Sequence, residues 1–249
     1  MKLDRDFWID AAWLLAFGLA STFALRDLAY RVGATFDEPF YAAAGLECWR
    51  TGSTKVLMTK GTMPLPVDAV TLPLYAWERW RGVPFTPYVD LPVQLPIMRA
   101  GTLAFWWLLL FYGMRAGRTA GGPWAGRLAV GLLATDPNLL AHAALATTDI
   151  AISACVLAAG YHWLRGRDSR SWWRIVVPGV WFGIALTAKA SAMAFVPLVW
   201  ATHGLCHLHA TGVLARAWAG SVRDRVRNLW AITGRLRWDF LYAGLIGYA

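Results

Sequence analysis

Apolar runs long enough to cross a membrane alternate with short polar segments along this chain. The first run, 7–25, would be about 28 Å long as an α-helix at about 1.5 Å per residue, which is enough to cross the hydrocarbon core. Lys2 and Arg5 precede it, and no clear small-x-small cleavage site follows, so we expect an uncleaved signal anchor. Asp10 lies within this run, and we expect it near the interface or facing another helix.

Further apolar runs predict additional spans at 96–114, 128–141, 149–164 and within 175–205. The run 175–205 could be one long helix or two short ones. The Arg-rich segments 165–174 and 216–237 should lie on the same side of the membrane, so an even number of crossings separates them. This favours two short spans that turn near 187–191. The last apolar stretch, 239–249, is too short to cross. The predicted fold class is therefore all-α: a polytopic transmembrane helical bundle of about six spans plus a partial seventh.

The segment 26–95 has a different character. It is polar, rich in aromatic residues and proline, and it contains all three glutamates, Glu38, Glu47 and Glu78. No part of it is apolar for long enough to span a membrane. The pattern predicts one large first loop with short amphipathic helices that lie on the membrane, around 40–49 and 70–80.

Composition supports a membrane protein and excludes a soluble one. Hydrophobic residues make up 57% and charged residues only 16%, whereas soluble domains carry about 25% charged residues. The formal net charge is +9, which by itself could indicate nucleic acid. Most basic residues beyond residue 100, however, lie between apolar runs, as in the predicted loops 115–127 and 165–174, and this is typical of cytoplasmic loops. Three cysteines are too few and too scattered for a disulfide framework. We expect a multi-pass protein of the inner (plasma) membrane with a cytoplasmic N-terminus, an extracytoplasmic loop 26–95 and no nucleic-acid partner.

This topology places five ionisable residues at one membrane face: Asp37, Glu38, His142, Asp149 and Lys189. Lys189 is the only lysine beyond residue 60. A charged residue at the centre of a span costs roughly 2.5–3.5 kcal/mol, so it requires an interface, a partner or a function. Taken singly, Asp149 could cap a helix and Lys189 could extend to the interface. Their joint occurrence on one face indicates a polar site.

Three segments resemble, in order, motifs of the polytopic GT-C glycosyltransferases, on the branch of protein O-mannosyltransferases and aminoarabinose transferases. In FDEPFYAAAGLECWRTG, an Asp-Glu pair after the first span is followed by a tyrosine and a glycine. In LATDPNLLAHAALATTDIAISACVLAAGYHWLR, an Ala-His pair precedes a Thr-Thr-Asp that opens the next helix. The third segment, GIALTAKASAMAFVPLVW, resembles a Gly-rich helix that ends in a Thr-x-Lys.

The resemblance implies a hexosyl- or pentosyltransferase that uses a polyprenyl-phosphate sugar as donor. Transfer would occur outside the cytoplasmic membrane, onto a protein or glycolipid acceptor. Asp37 would be the general base that takes a proton from the acceptor hydroxyl or amine. Glu38 would orient the acceptor or donor, or help to hold a divalent cation where the branch uses one.

The same resemblance implies that Lys189 and His142 stabilise the lipid phosphate as it leaves with growing negative charge. Asp149 would line the same cavity, and Tyr41, the tyrosine of the first motif, would contact substrate. One position departs from the pattern: Met63 stands where a His-Pro-Pro-Leu-like segment would place its histidine. The family also implies more spans. We therefore expect residues 1–249 to form a single module that is incomplete at its C-terminus, with a cytoplasmic basic segment at 206–237.

Three alternatives remain open from the sequence. The chain could be a non-catalytic membrane protein, a transporter-like or scaffold subunit that retains the fold. The basic run 216–237 could bind anionic lipid head groups or could be an ordinary cytoplasmic loop. A third set of residues could bind zinc or could simply end a helix at the interface: His203, Cys206, His207 and His209.

Overall fold

The computed structural model describes residues 5–86, 88–170, 172–213, 221–224, 226, 228 and 239–248. Within these residues the chain forms eleven helices and no β-strand, which confirms the all-α prediction. The helices are α1 (Arg5–Arg31), α2 (Glu38–Thr51), α3 (Lys55–Thr59), α4 (Pro64–Arg81), α5 (Leu91–Thr135), α6 (Pro137–Ala143), α7 (Asp149–Arg165), a π-helical turn (Trp172–Val176), α8 (Val177–Ala188), α9 (Ala192–Ala210) and α10 (Asp239–Tyr248).

Two of these helices, α1 and α5, are long and apolar enough to cross a membrane. They contain the predicted spans 7–25 and 96–114. A shorter apolar helix covers Trp172–Ala188, and α10 covers most of the final apolar stretch. The chain is therefore a helical protein with at least two helices suited to a membrane, while the count of six spans plus a partial seventh stays a prediction.

The loop predicted at 115–127 contains a chain reversal but is mostly helical, because α5 remains helical on both sides of Gly121 and Gly122. The chain reverses at these two glycines, and Gly122 has a φ of 80°, a backbone conformation that other residues adopt rarely. The two arms of α5, 91–120 and 123–135, then pack so closely that a Cβ on Gly117 would lie 2.7 Å from the carbonyl oxygen of Ala125. Small residues allow this close approach of two helices.

The predicted span 128–141 is also divided. The second arm of α5 ends at Thr135, and Asp136 adopts an extended backbone conformation. The Asp136 carboxylate then accepts a hydrogen bond from the backbone N–H of Leu139 at 2.9 Å. This capping bond, together with Pro137 in the first turn, starts the separate short helix α6.

Several predicted helices and one predicted break are confirmed. The run 149–164 forms α7, and α2 and α4 occupy the positions expected for helices around 40–49 and 70–80. The run 175–205 is interrupted between Ala188 and Ala192, within the predicted turn 187–191. Between α2 and α4, the first loop also contains the short helix α3.

Two large hydrophobic cores and a small cluster of Tyr112, Ala158 and Tyr161 lie among the described helices. The larger core lies among α1, α5, α7, α8 and α9, with Trp106, Ile150 and Phe182 fully buried in it. The smaller core lies within the first loop, where Leu46 of α2 packs with Leu74 of α4. Because the loop has its own core against the first arm of α5, it holds the start of α2 in a defined place.

Ionic contacts join α1 to both arms of α5. The buried Asp10 carboxylate accepts a hydrogen bond from Nε of Arg127 at 2.8 Å and also pairs with Arg118. Asp6 contacts Nη2 of Arg127 at 2.8 Å. This confirms the expectation that Asp10 faces another helix. It also shows that two arginines of the predicted 115–127 loop are neutralised by α1.

Candidate functional site

The polar residues predicted at one membrane face meet where α7 begins and α8 ends. The Lys189 ammonium donates a hydrogen bond from Nζ to Oδ1 of Asp149 at 2.7 Å. The His142 ring nitrogen Nδ1 lies 3.4 Å from Oδ2 of the same carboxylate. All three side chains are partly exposed. Residues that are far apart in the sequence therefore form one accessible charged cluster.

Local structure explains this cluster. Asp149 is the first residue of α7, where a carboxylate interacts favourably with the helix dipole. Thr147 donates a hydrogen bond to Oδ2 of Asp149 at 3.4 Å. Lys189 follows the last residue of α8 in an extended conformation, so the helix break directs it away from the path of α8. The break within 175–205 is what allows Lys189 to reach Asp149.

Glu38 lies beside this cluster but is completely buried. Arg99 donates two hydrogen bonds to it, from Nε to Oε1 at 2.8 Å and from Nη2 to Oε2 at 2.7 Å. The backbone N–H groups of Thr35 and Ala146 donate further bonds, each at 2.9 Å. Burial raises the pKa of Glu38, but the bonds from Arg99, Thr35 and Ala146 outweigh it and hold the pKa below its ordinary value. Both carboxylate oxygens are therefore occupied by donors from three parts of the chain.

Arg99 is a residue of this site that the sequence interpretation missed. Besides Glu38, its guanidinium donates to the carbonyl oxygens of Ala29 at 2.6 Å, Val32 at 2.8 Å and Gly33 at 2.8 Å. It therefore caps the end of α1 and fixes the start of α2 at the same time. An isolated arginine inside the apolar run 96–114 was the signal that could have found it, because a charge there requires a partner.

Asp37 differs from Glu38 in being exposed. It is the N-cap residue of α2, yet its side chain forms no capping hydrogen bond. In the part of the chain that the structure describes, its carboxylate has no hydrogen-bond or ion-pair partner. The bonds of the neighbouring Glu38 therefore fix the position of Asp37, while the Asp37 carboxylate remains available to bind a substrate group.

Tyr41 connects Asp37 to the charged cluster. Its backbone N–H donates to the carbonyl oxygen of Asp37 at 2.9 Å, and its side chain is buried. Burial, followed by the carboxylate charge of Asp37 and by that of Asp149, raises the pKa of Tyr41, and a hydrogen bond with Thr62 opposes the rise. The phenol is thus within electrostatic reach of both carboxylates. Thr62 directly precedes Met63, so the segment that departs from the family pattern begins at this site.

The described residues do not fit a metal ion. Within them, no group of three or more His, Cys, Asp or Glu side chains could hold one. Glu38 in particular has both oxygens engaged by Arg99, Thr35 and Ala146. The four residues considered for zinc form no such group either, and the His203 ring bonds to the carbonyl oxygen of Val199 at 2.8 Å.

An apolar groove of about 640 Å³ begins beside the charged cluster. It starts at Ile152 and Ser153, within one turn of Asp149, and follows α7 to Leu164. The end of the first arm of α5 (Ala116, Gly117 and Ala120) and the helix α9 form its other walls. An elongated apolar chain would fit this shape.

The sequence matches the family of dolichyl-phosphate-mannose-protein mannosyltransferases over residues 73–217. This match covers more than half of the chain and includes His142, Asp149 and Lys189, whereas Asp37, Glu38 and Tyr41 precede it. No curated protein and no solved structure gave a significant match. The match agrees with the helical architecture and with the two helices suited to a membrane. The chain therefore belongs to the dolichyl-phosphate-mannose-protein mannosyltransferase family of membrane glycosyltransferases.

Proposed function

We propose that this protein transfers a hexose or pentose from a polyprenyl-phosphate donor to a protein or glycolipid acceptor at the extracytoplasmic face of the plasma membrane. One observation carries the proposal: among the described residues the exposed Asp37 carboxylate has no partner, and its neighbour Glu38 is bonded to Ala146 in the turn that leads to the Asp149–Lys189 pair. A base and a cation at one accessible site are what transfer from a phosphate leaving group requires.

Asp37 acts as the general base in this proposal. Its carboxylate is exposed and has no partner among the described residues, so an acceptor hydroxyl or amine can approach within hydrogen-bond distance. As the acceptor oxygen or nitrogen forms its bond to the sugar carbon, its proton passes to the Asp37 carboxylate. The bond between that carbon and the donor phosphate oxygen breaks at the same centre.

Lys189 and His142 stabilise the departing phosphate. Charge on the phosphate oxygens grows as the sugar leaves, and a fixed ammonium nearby lowers the free energy of that state. Asp149 holds Lys189 through the 2.7 Å hydrogen bond, so the ammonium is already oriented before the donor binds. Tyr41, whose backbone bonds to Asp37, would contact the substrate beside the base.

Glu38 has a positioning role in this proposal and does not contact substrate. Its oxygens are occupied by Arg99, Thr35 and Ala146, and it directly follows Asp37 in the chain. The bond to Ala146 also connects α2 to the turn that precedes Asp149. Glu38 thereby sets the distance between the base and the charged cluster.

The groove along α7 supports a lipid-linked donor. It begins within one turn of Asp149 and is lined mostly by apolar side chains, so the donor's polyprenyl chain can lie in it while its phosphate remains at Lys189. We propose that the first loop (26–95), the turn at 142–148 and Lys189 face the extracytoplasmic side, with the N-terminus in the cytoplasm. Residues 1–249 would then be one module of the enzyme.

Substitution of the proposed base tests this function. The assay measures transfer of radiolabelled sugar from a polyprenyl-phosphate donor in membranes that contain the protein. Asp37→Asn removes the basic oxygen but preserves the shape, so transfer should fall by at least about 100-fold. Asp27→Asn, an exposed aspartate paired with Arg31 on α1, is the matched control and should retain activity. Undiminished transfer by Asp37→Asn contradicts the base assignment. A folded wild-type protein without transfer from any donor tested supports the non-catalytic alternative.

A further inference from the structure

A second polar cavity lies at the other end of α7 from Asp149. Along α7, Arg165 of this cavity lies about 24 Å from Asp149 of the candidate active site, at about 1.5 Å per residue. Its volume is about 640 Å³. The residues that matter for its chemistry are Tyr112, Arg115, Tyr161, His162, Arg165 and Asp168. Tyr161 borders both this cavity and the groove along α7, whereas Arg115, Arg165 and Asp168 do not line the groove.

Two guanidinium groups line this cavity, those of Arg115 and Arg165. Nε of Arg115 donates to the Tyr161 hydroxyl at 3.1 Å, and its guanidinium carbon lies 5.7 Å from the centre of that ring. Arg165 is the last residue of α7. In the described part of the chain, neither arginine forms an ion pair with a carboxylate. Other membrane-associated arginines of this protein, such as Arg99 and Arg127, are paired.

The cavity has a closely packed wall and a floor whose polar atoms bond to each other. A Cβ on Gly166 would lie 2.4 Å from the carbonyl oxygen of Trp173, so only glycine allows the chain after α7 to fold back this closely. On the floor, the Tyr112 hydroxyl and Nε2 of His162 lie 2.9 Å apart and satisfy each other. Among the lining residues, the two arginines therefore supply the cationic hydrogen-bond donors.

We propose that this cavity binds the phosphate group of a membrane phospholipid. Arginine donates parallel hydrogen bonds to phosphate oxygens, and two unpaired guanidinium groups match its negative charge. Asp168 also lines the cavity, and its carboxylate suits a head group that carries a hydroxyl or ammonium substituent next to the phosphate. Phe111 and Trp173 are exposed at the rim, and aromatic side chains are typical of the level at which lipid head groups lie. The same chemistry would accept free phosphate, which the experiment distinguishes.

The test compares the thermal unfolding of the whole protein in nanodiscs of phosphatidylcholine and in nanodiscs that also contain phosphatidylglycerol. Phosphatidylglycerol should raise the Tm of the wild-type protein, because a ligand that binds the folded state stabilises it. Arg115→Gln combined with Arg165→Gln should abolish that rise. Arg170→Gln removes the same charge from the same connection but does not line the cavity, so it should keep the rise. Both substituted arginines are exposed, which favours folding of the variant.

A second measurement does not depend on the variants. Native mass spectrometry of the wild-type protein should retain phosphatidylglycerol in preference to phosphatidylcholine, and each single substitution should weaken that retention by about tenfold. Inorganic phosphate is titrated separately in detergent. A Tm rise with inorganic phosphate and none with phosphatidylglycerol assigns the cavity to a soluble phosphate and overturns the lipid proposal. An equal response of the double variant and the wild type, or no response to either probe, overturns the site itself.

Discussion

Arg99 donates two parallel hydrogen bonds to the carboxylate of Glu38, at 2.8 and 2.7 Å, and both side chains are buried. The same guanidinium binds the last carbonyl groups of α1, and the same carboxylate binds the backbone of Ala146. One ion pair thus joins α1, the start of α2, α5 and the turn before α7. Since Asp37 precedes Glu38 directly, this pair determines where the proposed base lies.

We expect Arg99→Lys to reduce both stability and transfer. Lysine cannot form the two parallel bonds to Glu38 or reach three carbonyl groups at once, and breaking a buried pair typically costs about 3–5 kcal/mol. Thermal unfolding in detergent, followed by tryptophan fluorescence, measures the loss of stability. Arg79→Lys is the control, because Arg79 is exposed on α4 and should change stability by less than about 0.5 kcal/mol. Equal Tm values for the two variants would show that the Arg99–Glu38 pair does not stabilise the protein.

We expect Lys189→Met to lower the transfer activity strongly while it leaves the stability of the protein nearly unchanged. The Asp149–Lys189 pair is about 40% exposed, and pairs of this kind contribute about 0–1 kcal/mol to stability, so the Tm should change little. Removing a group that stabilises developing charge typically lowers kcat by about 100- to 1,000-fold, and we expect a loss of that size. Kinetics with a polyprenyl-phosphate sugar provide the measurement. Lys189→Arg keeps the charge and should recover part of the rate. Wild-type kcat in Lys189→Met would remove Lys189 from the mechanism.

Asp68→Asn should stabilise the protein at neutral pH. Oδ1 of Asp68 is buried without a hydrogen bond to any described group. Burial raises the pKa of Asp68 above its ordinary value of 3.8, and a hydrogen bond with Cys48 opposes this only in part. With the folded-state pKa raised, the contribution of Asp68 to stability is fully present below pH 3.8 and is lost as pH rises through the folded-state pKa. Asparagine resembles the protonated form at every pH, so it should avoid this loss.

Thermal unfolding between pH 7.5 and pH 4.5 tests the sign of this effect. The Tm of Asp68→Asn should exceed that of the wild type at pH 7.5, and the difference should shrink as pH falls. The exposed Asp27→Asn variant controls for a general effect of removing one carboxylate and should show little change at pH 7.5. A difference that grows towards low pH would contradict the raised pKa of Asp68.

We expect Gly117→Ala to destabilise the hairpin formed by α5. The added Cβ would lie 2.7 Å from the Ala125 carbonyl oxygen and 3.0 Å from Cα of Gly126, and these backbone atoms cannot move without separating the two arms. Overpacking of this kind costs about 1–3 kcal/mol. Gly204→Ala in α9 meets no atom within 4 Å and should instead stabilise by about 0.5–1 kcal/mol through helix propensity. Unfolding of the two variants side by side should therefore give Tm shifts of opposite sign. A stabilising Gly117→Ala would contradict the close packing of the arms.

Much of the helical layout follows from the sequence, because it depends on short-range patterns. The apolar run of α7, the interruption of 175–205 and the helices of the first loop were all predicted at nearly their observed positions. For the hairpin within α5, the reversal between 114 and 128 was predicted, but the extension of its helical arms into 115–127 was not. Its turn is made by Gly121 and Gly122, but its helical arms persist because Gly117 and Gly126 pack against the opposite arm. A three-arginine segment with several glycines is typical of a loop until that packing is known.

The candidate site, like the fold, could be predicted from the sequence only in part. By itself, the sequence determined which residues carry unusual charge: Asp37, Glu38, His142, Asp149 and Lys189 stand out because ionisable groups are costly near a membrane. Only the tertiary structure decided that Glu38 is buried against Arg99, that Asp37 is left available, and that Lys189 contacts Asp149. The physical reason is that an ionisable residue in an apolar segment can be recognised from its neighbours in the sequence. Its partner, however, is determined by contacts between residues that are distant in the sequence. Neighbouring carboxylates can therefore look alike in the sequence and have different roles in the fold.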